Sequence, residues 1–215
     1  MTLTILDHPQ RSPEWFAARA GRLTGSVAGD ILAKLKSGGE PAARRDLRLQ
    51  LAIERLTGQP AQPFDFVSAD MQRGIDLEPE ALQRIESLTG MMIRQTGFIV
   101  RDDLAVGCSL DGDCGRLKTI VEVKCPKTFT HVNYLMEKRL PPAYVAQVTH
   151  NLWVTGAKAC LFASYDPRLP KLELFSIEVL AKDLDIEGYD RAAREFLVEV
   201  DSQVGALRNM QESMA

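Results

Sequence analysis

The sequence predicts a mixed α/β (α+β) fold, with a central mixed β-sheet flanked by helices. Three observations predict it. Helix signals follow one another through the first 90 residues, short β-branched apolar runs separated by turn residues fill the middle, and a long apolar period of about 3.6 residues closes the chain. At 215 residues and 45% hydrophobic composition the chain can bury a core as one domain, 1–215, and no linker-like stretch divides it.

The elements follow in order. A short helix starts near Pro13, with proline at a helix-opening position and Ser12 as its N-cap. A second begins near Ser26, and a third runs from about 42 to 56 and is closed by Gly58. The apolar-periodic stretch 71–88 contains Pro79, which marks a kink or a new helix start. Strands are expected near 95–101, 104–111 and 118–124, then a helix near 143–155 and strands near 159–166 and 171–179. In the final helix Leu184, Tyr189, Ala193, Phe196, Val200, Val204 and Leu207 recur every three to five residues, giving one buried and one wet face.

Composition narrows the function classes. A net charge of −3 and a pI near 5.7 do not describe a protein that coats itself in nucleic acid. Local sign still leaves room for a phosphate-tracking strip: Arg44, Arg45 and Arg48 cluster on the third helix, with Lys34 and Lys36 just before it. The competing reading is a solvated helix face. Four cysteines, Cys108, Cys114, Cys125 and Cys160, form no C-x-x-C pair, which argues against a zinc ribbon and for a reducing compartment. Neither a basic-then-apolar leader nor an apolar run of about 18 residues is present, so a cytoplasmic protein without a membrane contact is expected. Lack of a G-x-x-x-x-G-K-[ST] loop predicts no use of ATP.

The chemistry concentrates in Ser109-Leu110-Asp111-Gly112 and, after ten residues from the aspartate, Glu122-Val123-Lys124. In the strand 119–124 side chains alternate, so Glu122 and Lys124 share one face and Val121 and Val123 the other; Ser109 and Asp111 share a face by the same rule. Pairing of the two segments through a turn region at 112–116 would bring Asp111 and Glu122 to one ion. Hard oxygen ligands suit Mg²⁺, with Mn²⁺ as a substitute. Lys124 could orient a water, help deprotonate it, or stabilise charge on phosphoryl oxygens. The plain alternative is a turn-capping aspartate beside a solvated Glu–Lys pair on an ordinary strand.

Other residues are candidates by position. Trp15 and Arg19 stand four apart and share a helix face, and an arginine near the start of the Ser26 helix makes an anion pocket. Trp15 also reads as a core aromatic, and Ser26 as a simple N-cap. Gln147, His150 and Asn151 form a polar stripe on an apolar helix and need buried partners, which a phosphate with its waters would supply. His150 reads more readily as a satisfied structural histidine, and His131 and His8 have weaker claims. Glu78 and Glu80 are rival carboxylates on one helix.

Four blocks in order resemble the phage lambda exonuclease and YqaJ-like recombinase nucleases of the PD-(D/E)xK superfamily, with a restriction-endonuclease-like core. They are Arg11-Ser12-Pro13-Glu14-Trp15-Phe16-Ala17-Ala18-Arg19 with Leu23-Thr24-Gly25-Ser26; Gly74-Ile75-Asp76-Leu77-Glu78-Pro79-Glu80-Ala81; the Asp111/Glu122/Lys124 segments; and Ala146-Gln147-Val148 leading through Trp153-Val154-Thr155-Gly156 to Tyr165-Asp166-Pro167-Arg168. The resemblance implies a Mg²⁺-dependent 5′-to-3′ exonuclease on double-stranded DNA ends that releases mononucleotides and leaves a 3′ single-stranded tail for recombination by strand annealing. It implies catalytic roles for Asp111, Glu122, Lys124 and Glu78, with Asp111, Glu122 and Val123 at the metal. It also implies a 5′-phosphate pocket of Arg19, Ser26, Ser109 and Gln147. Met71 matches a loop residue that wedges into the duplex end. A homotrimeric ring, a single-strand annealing partner and a bacterial or prophage setting are implied as well. Two rivals remain: a structure-selective or restriction-type endonuclease with the same metal centre, and a non-catalytic DNA-binding module.

Overall fold

The computed structural model describes residues 2–35, 38–61 and 68–214. Lys36, one of the two lysines placed before the third helix, lies outside the described residues. The chain runs β1 (Leu3–Leu6), α1 (Pro13–Arg19), β2 (Leu23–Thr24), a 3₁₀ turn (Gly25–Val27), α2 (Ala28–Leu32), α3 (Ala42–Thr57) and α4 (Ala69–Thr89). It continues with β3 (Phe98–Arg101), β4 (Val106–Cys108), β5 (Gly112–Cys114), β6 (Thr119–Lys124), α5 (Thr128–Glu137), α6 (Pro142–Thr155), β7 (Ala159–Tyr165), β8 (Leu174–Leu180) and α7 (Ile186–Met214).

Local chemistry sets the helix boundaries. Ser12 caps α1 by accepting a hydrogen bond from the Trp15 amide, and Pro13 opens the helix where its missing N–H costs nothing. Gly58, Gly90 and Gly156 close α3, α4 and α6 in the left-handed conformation that glycine adopts without a Cβ penalty. Pro79 does not start a new helix, because α4 continues through it for 21 residues. The second helix differs from expectation. Ser26 lies inside the 3₁₀ turn without capping it, and α2 that follows is five residues long.

The strands form two four-stranded mixed sheets, ordered β1-β3-β4-β2 and β5-β6-β7-β8. β6 and β7 run parallel, with Glu122 opposite Phe162 and Lys124 opposite Ser164. The expected turn at 112–116 is displaced: residues 112–114 are β5, paired antiparallel to β6 with Gly112 opposite Val121. The reversal falls at Gly115, Arg116 and Leu117, all with positive φ. The strand expected at 104–111 ends at Cys108, leaving Ser109 to Asp111 as an irregular bridge between the sheets.

Two apolar cores lie on opposite faces of β6. Ile120 packs into the larger, with Val148 and Leu152 of α6 and Phe196 and Val200 of α7. Val121 and Val123 pack into the smaller, against Ala81, Leu82 and Ile85 of α4. Each fully buried Ile or Val contributes roughly 1.5–3 kcal/mol relative to exposure, so the register of β6 is strongly fixed. A slip of one residue would turn Glu122 toward α4 and Val121 toward α6. The alternation read from the sequence therefore has an energetic basis.

The arginines of α3 have a structural task. Arg44 and Arg48 both bond Glu199 of α7 and Glu40 ahead of α3, and the Arg44 guanidinium lies 5.2 Å from the Phe196 ring centroid. Arg45 is exposed and paired with Asp46. Of the strip expected from Arg44, Arg45 and Arg48, two arginines join α3 to α7, where two well-placed carboxylates satisfy their fork-shaped donors, and Arg45 alone faces outward.

Candidate active site

Glu122 stands at the centre of the site. It projects from β6 on the α6 side and is 2% exposed. A carboxylate there is costly unless its oxygens are satisfied, and three side chains satisfy them. Lys124 and the Gln147 amide nitrogen donate to Oε1, the latter at 2.6 Å, and the Asn151 amide nitrogen donates to Oε2 at 3.1 Å. Gln147 and Asn151 are one turn apart on α6, which places both amides on one face. Two members of the polar stripe noted on this helix, Gln147 and Asn151, thus have their buried partner in Glu122.

Asp111 sits in the irregular bridge before β5, and its Oδ2 accepts the Val123 amide at 2.6 Å. Burial pushes the Asp111 carboxyl well above the usual carboxylate range, and the charge of Glu122 adds to the push against relief from Lys124. Burial alone would lower the Lys124 ammonium, but Glu122 and Asp111 outweigh it and hold the amine protonated. Its nitrogen also lies 5.1 Å from the Tyr144 ring centroid.

Asp111, Lys124, Val123 and Glu78 line one cleft of about 530 Å³, with Arg11 and Met71 toward α4. Burial raises the Glu78 carboxyl, Arg11 opposes this and Glu122 adds to it. Glu80, its rival, accepts from the Tyr165 hydroxyl at 2.7 Å and is engaged elsewhere. Val123 packs its side chain against α4, so only its backbone carbonyl could serve an ion. Cys125, also in the cleft, is pushed up to about 12 by burial and by Glu78 and Asp111, which keeps it a thiol. Met71 belongs to the first turn of α4 and is 53% exposed at the cleft, not in a loop as its match implies.

A second cluster adjoins the first through Gly25. Arg19 donates to Ser109 Oγ at 3.3 Å, Thr24 Oγ1 at 3.3 Å and Ser26 Oγ at 3.5 Å. Its guanidinium stacks 4.1 Å from the Trp15 ring centroid, and the Trp15 indole N–H donates to Ser109 Oγ at 3.0 Å. Burial lowers Arg19 to about 10, so it remains a cation at neutral pH. The structure therefore assembles Trp15, Arg19, Ser26 and Ser109. Gln147 is tied to Glu122 and borders the same turn, its Cγ 3.4 Å from where a Cβ on Gly25 would lie.

Sequence reasoning missed Thr24 and Arg11. Thr24 immediately precedes the Gly25-Ser26 turn, and that adjacency was the available signal. Arg11 takes φ 69°, an uncommon backbone state that a single sequence does not advertise. Two of the three histidines are held by structural partners: His150 bonds Tyr189 and the Gly107 carbonyl, and His131 bonds Ser164 and the Leu172 carbonyl.

The donor set fits a hard divalent cation. Mg²⁺ uses one or two carboxylates and completes its shell with water and substrate phosphate, and burial together with the charge of Glu122 raises the cost of negative charge on Asp111 and Glu78. Among the described residues no group of three or more His, Cys, Asp or Glu side chains is arranged to hold a metal ion.

The fold is the mixed α/β fold of exonuclease-type nucleases. A family model, the YqaJ-like viral recombinase domain, matches residues 14–158. The chain belongs to the YqaJ-like viral recombinase family. It is similar to LHK-Exo, an alkaline exonuclease from Laribacter hongkongensis solved in two crystal structures, one with dAMP. The two are 31% identical, with 95% of this chain and 100% of that one covered and a TM-score of 0.84. A phage-related exonuclease from Haemophilus somnus 129PT shares the fold at 13% identity, with a TM-score of 0.67 over 86% of this chain and 96% of that one. The ExoD protein of Escherichia coli K12 is 31% identical over 65 residues, 30% of this chain and 75% of that protein.

Proposed function

We propose that the protein is a Mg²⁺-dependent 5′-to-3′ exonuclease acting on double-stranded DNA ends. The observation that carries the reading is the Arg19 cluster. A buried cation gathers three hydroxyls beside the acidic centre, which is the chemistry of a phosphate site next to a phosphodiester-cleaving one. In this reading Arg19, Ser26, Ser109 and Gln147 seat the terminal 5′-phosphate, and the next phosphodiester lies at Asp111, Glu122 and Lys124.

Asp111, Glu122 and the Val123 carbonyl would hold the ion, with Glu78 supporting a bound water. When bound, the ion would polarise the phosphoryl oxygen and acidify an attacking water. Of the three tasks open to Lys124, its raised pKa favours charge stabilisation, because a firmly protonated amine is a poor base and a good partner for developing oxyanion charge. The Trp15 indole fixes Ser109, and Gln147 and Asn151 fix Glu122, so the chain's own groups need little rearrangement as charge develops. Met71, exposed at the cleft, would meet the duplex end.

Mononucleotide products, a 3′ single-stranded tail, a homotrimeric ring, a single-strand annealing partner and a cytoplasmic phage or prophage setting complete the proposal and rest on the family resemblance. No described helix is long and apolar enough to cross a membrane. The test is a digest of linear and covalently closed circular duplex of the same sequence, with Mg²⁺ and with chelator. Linear duplex should be degraded with Mg²⁺ and survive with chelator, while the closed circle survives both. Cleavage of the closed circle would replace this reading with the endonuclease one.

A further inference from the structure

Asn151 is buried at 1% exposure in the middle of α6, and its amide is used on one side only. Nδ2 donates to Glu122 Oε2, but Oδ1 has no hydrogen-bond partner among the described residues. A buried amide oxygen left unpaired costs about 1–3 kcal/mol, so its orientation calls for a reason. Rotating the amide by 180° would set the oxygen against the Glu122 carboxylate, which is worse. The oxygen instead faces Gly25, where a built Cβ would lie 2.5 Å from Oδ1 and 3.4 Å from the Cγ of Gln147.

Gly25 is not among the residues with positive φ, so its backbone would accept alanine. What forbids a side chain is this contact alone. The two α6 amides and Gly25 thus form a three-part clamp: Gln147 and Asn151 each hold one oxygen of Glu122, and the bare Cα of Gly25 makes the space in which they do so. The same turn carries Ser26, which bonds Arg19.

We propose that Asn151 is a positioning residue for the Glu122 carboxylate, seated by contact with Gly25, and that the pair mechanically joins the Arg19/Ser26 turn to the metal-binding acid. The proposal rests on the reading of Asp111 and Glu122 as metal ligands. A methyl on Gly25 must move the Asn151 oxygen, and the amide cannot move without loosening its grip on Glu122. Outer-sphere groups that orient a ligand typically change metal affinity by about 10–100-fold when removed.

The experiment is Mn²⁺ binding to DNA-free protein, by calorimetry or electron paramagnetic resonance, with folding checked by circular dichroism. Gly25→Ala and Asn151→Ser should each weaken Mn²⁺ about tenfold or more. Because both act through one amide, Gly25→Ala combined with Asn151→Ser should bind no more weakly than Asn151→Ser alone. Asp111→Ala serves as the reference. Loss of Mn²⁺ in Asp111→Ala with unchanged affinity in folded Gly25→Ala and Asn151→Ser would overturn the positioning role while leaving the metal centre standing. Additive losses in the double variant would also overturn it, since independent packing defects add. Should Asn151→Ser fail to fold, Gly25→Ala decides alone: retained affinity overturns the proposal and a tenfold loss supports it. Unchanged affinity in Asp111→Ala would instead remove the metal reading on which both depend.

Discussion

At the scale of single residues the site is a balance of buried charges. Asp111 and Glu78 are raised by burial and by neighbouring carboxylates, while Lys124 is held protonated between Glu122 and Asp111. Removing the lysine deletes the cation that would meet charge growing on phosphorus, so Lys124→Ala should still bind DNA ends but lose at least about 100-fold in cleavage, the range of a single oxyanion donor. Single-turnover digestion beside an end-binding assay checks this, and near-normal cleavage by the variant would contradict it. The acid pair also predicts a pH dependence. An acid whose folded pKa is raised favours folding below its ordinary value, and that contribution is lost as pH rises through the raised value. Stabilisation by Mg²⁺ should therefore grow as pH rises, because the ion offsets repulsion present only when the carboxylates are ionised. Thermal melts with and without Mg²⁺ over a pH series measure the trend.

At the scale of elements, β6 and α6 do most of the positioning. β6 alternates Glu122 and Lys124 toward α6 with Val121 and Val123 toward α4, and α6 answers with Gln147 and Asn151. His150, on the same helix, packs its ring between Tyr189 and the Gly107 carbonyl, and burial lowers it from 6.5 to about 4. A base depressed in the fold lends stability that is full above about pH 6.5 and lost as pH falls to about 4, on the order of 3 kcal/mol. Urea melts across that window should show the loss, and His150→Phe should flatten it. The α3–α7 contact gives a separate prediction. Arg44→Ala should lower stability by roughly 1–3 kcal/mol, since it strips charged hydrogen bonds from Glu199 and Glu40, and should leave DNA-end affinity unchanged. What the sequence made legible follows from these elements. Alternation exposed the β6 acid and lysine, capping chemistry exposed α1 and the end of α3, and apolar periodicity exposed the buried face of α7. α5 was not foreseen, because Thr-Phe-Thr-His-Val-Asn-Tyr carries weak helix formers and is held by His131 bonding into β7 and the loop before β8. β1 and β2 were too short to show a period, and β5 was hidden by Gly112 and Gly115, which read as turn residues.

At the scale of the whole molecule, two sheets meet at the irregular bridge of Ser109 to Asp111. Ser109 faces the Arg19 cluster built on α1 and the Gly25–Val27 turn, while Asp111 faces the acidic cleft built on β6 and α4. Two residues thus connect the two clusters, and a net charge of −3 is compatible with DNA binding because Arg11, Arg19 and Lys124 lie in or beside them. In the proposed function an end is recognised at the Arg19 cluster before the neighbouring bond is cut. The most direct test is the initial rate of degradation of a linear duplex bearing a 5′-phosphate on one strand and a 5′-hydroxyl on the other, compared between wild type and Arg19→Ala. Wild type should degrade the phosphorylated strand at least about tenfold faster, and Arg19→Ala should lose this preference while still cutting. Equal rates on both strands in wild type, or an undiminished preference in Arg19→Ala, would contradict the proposed function.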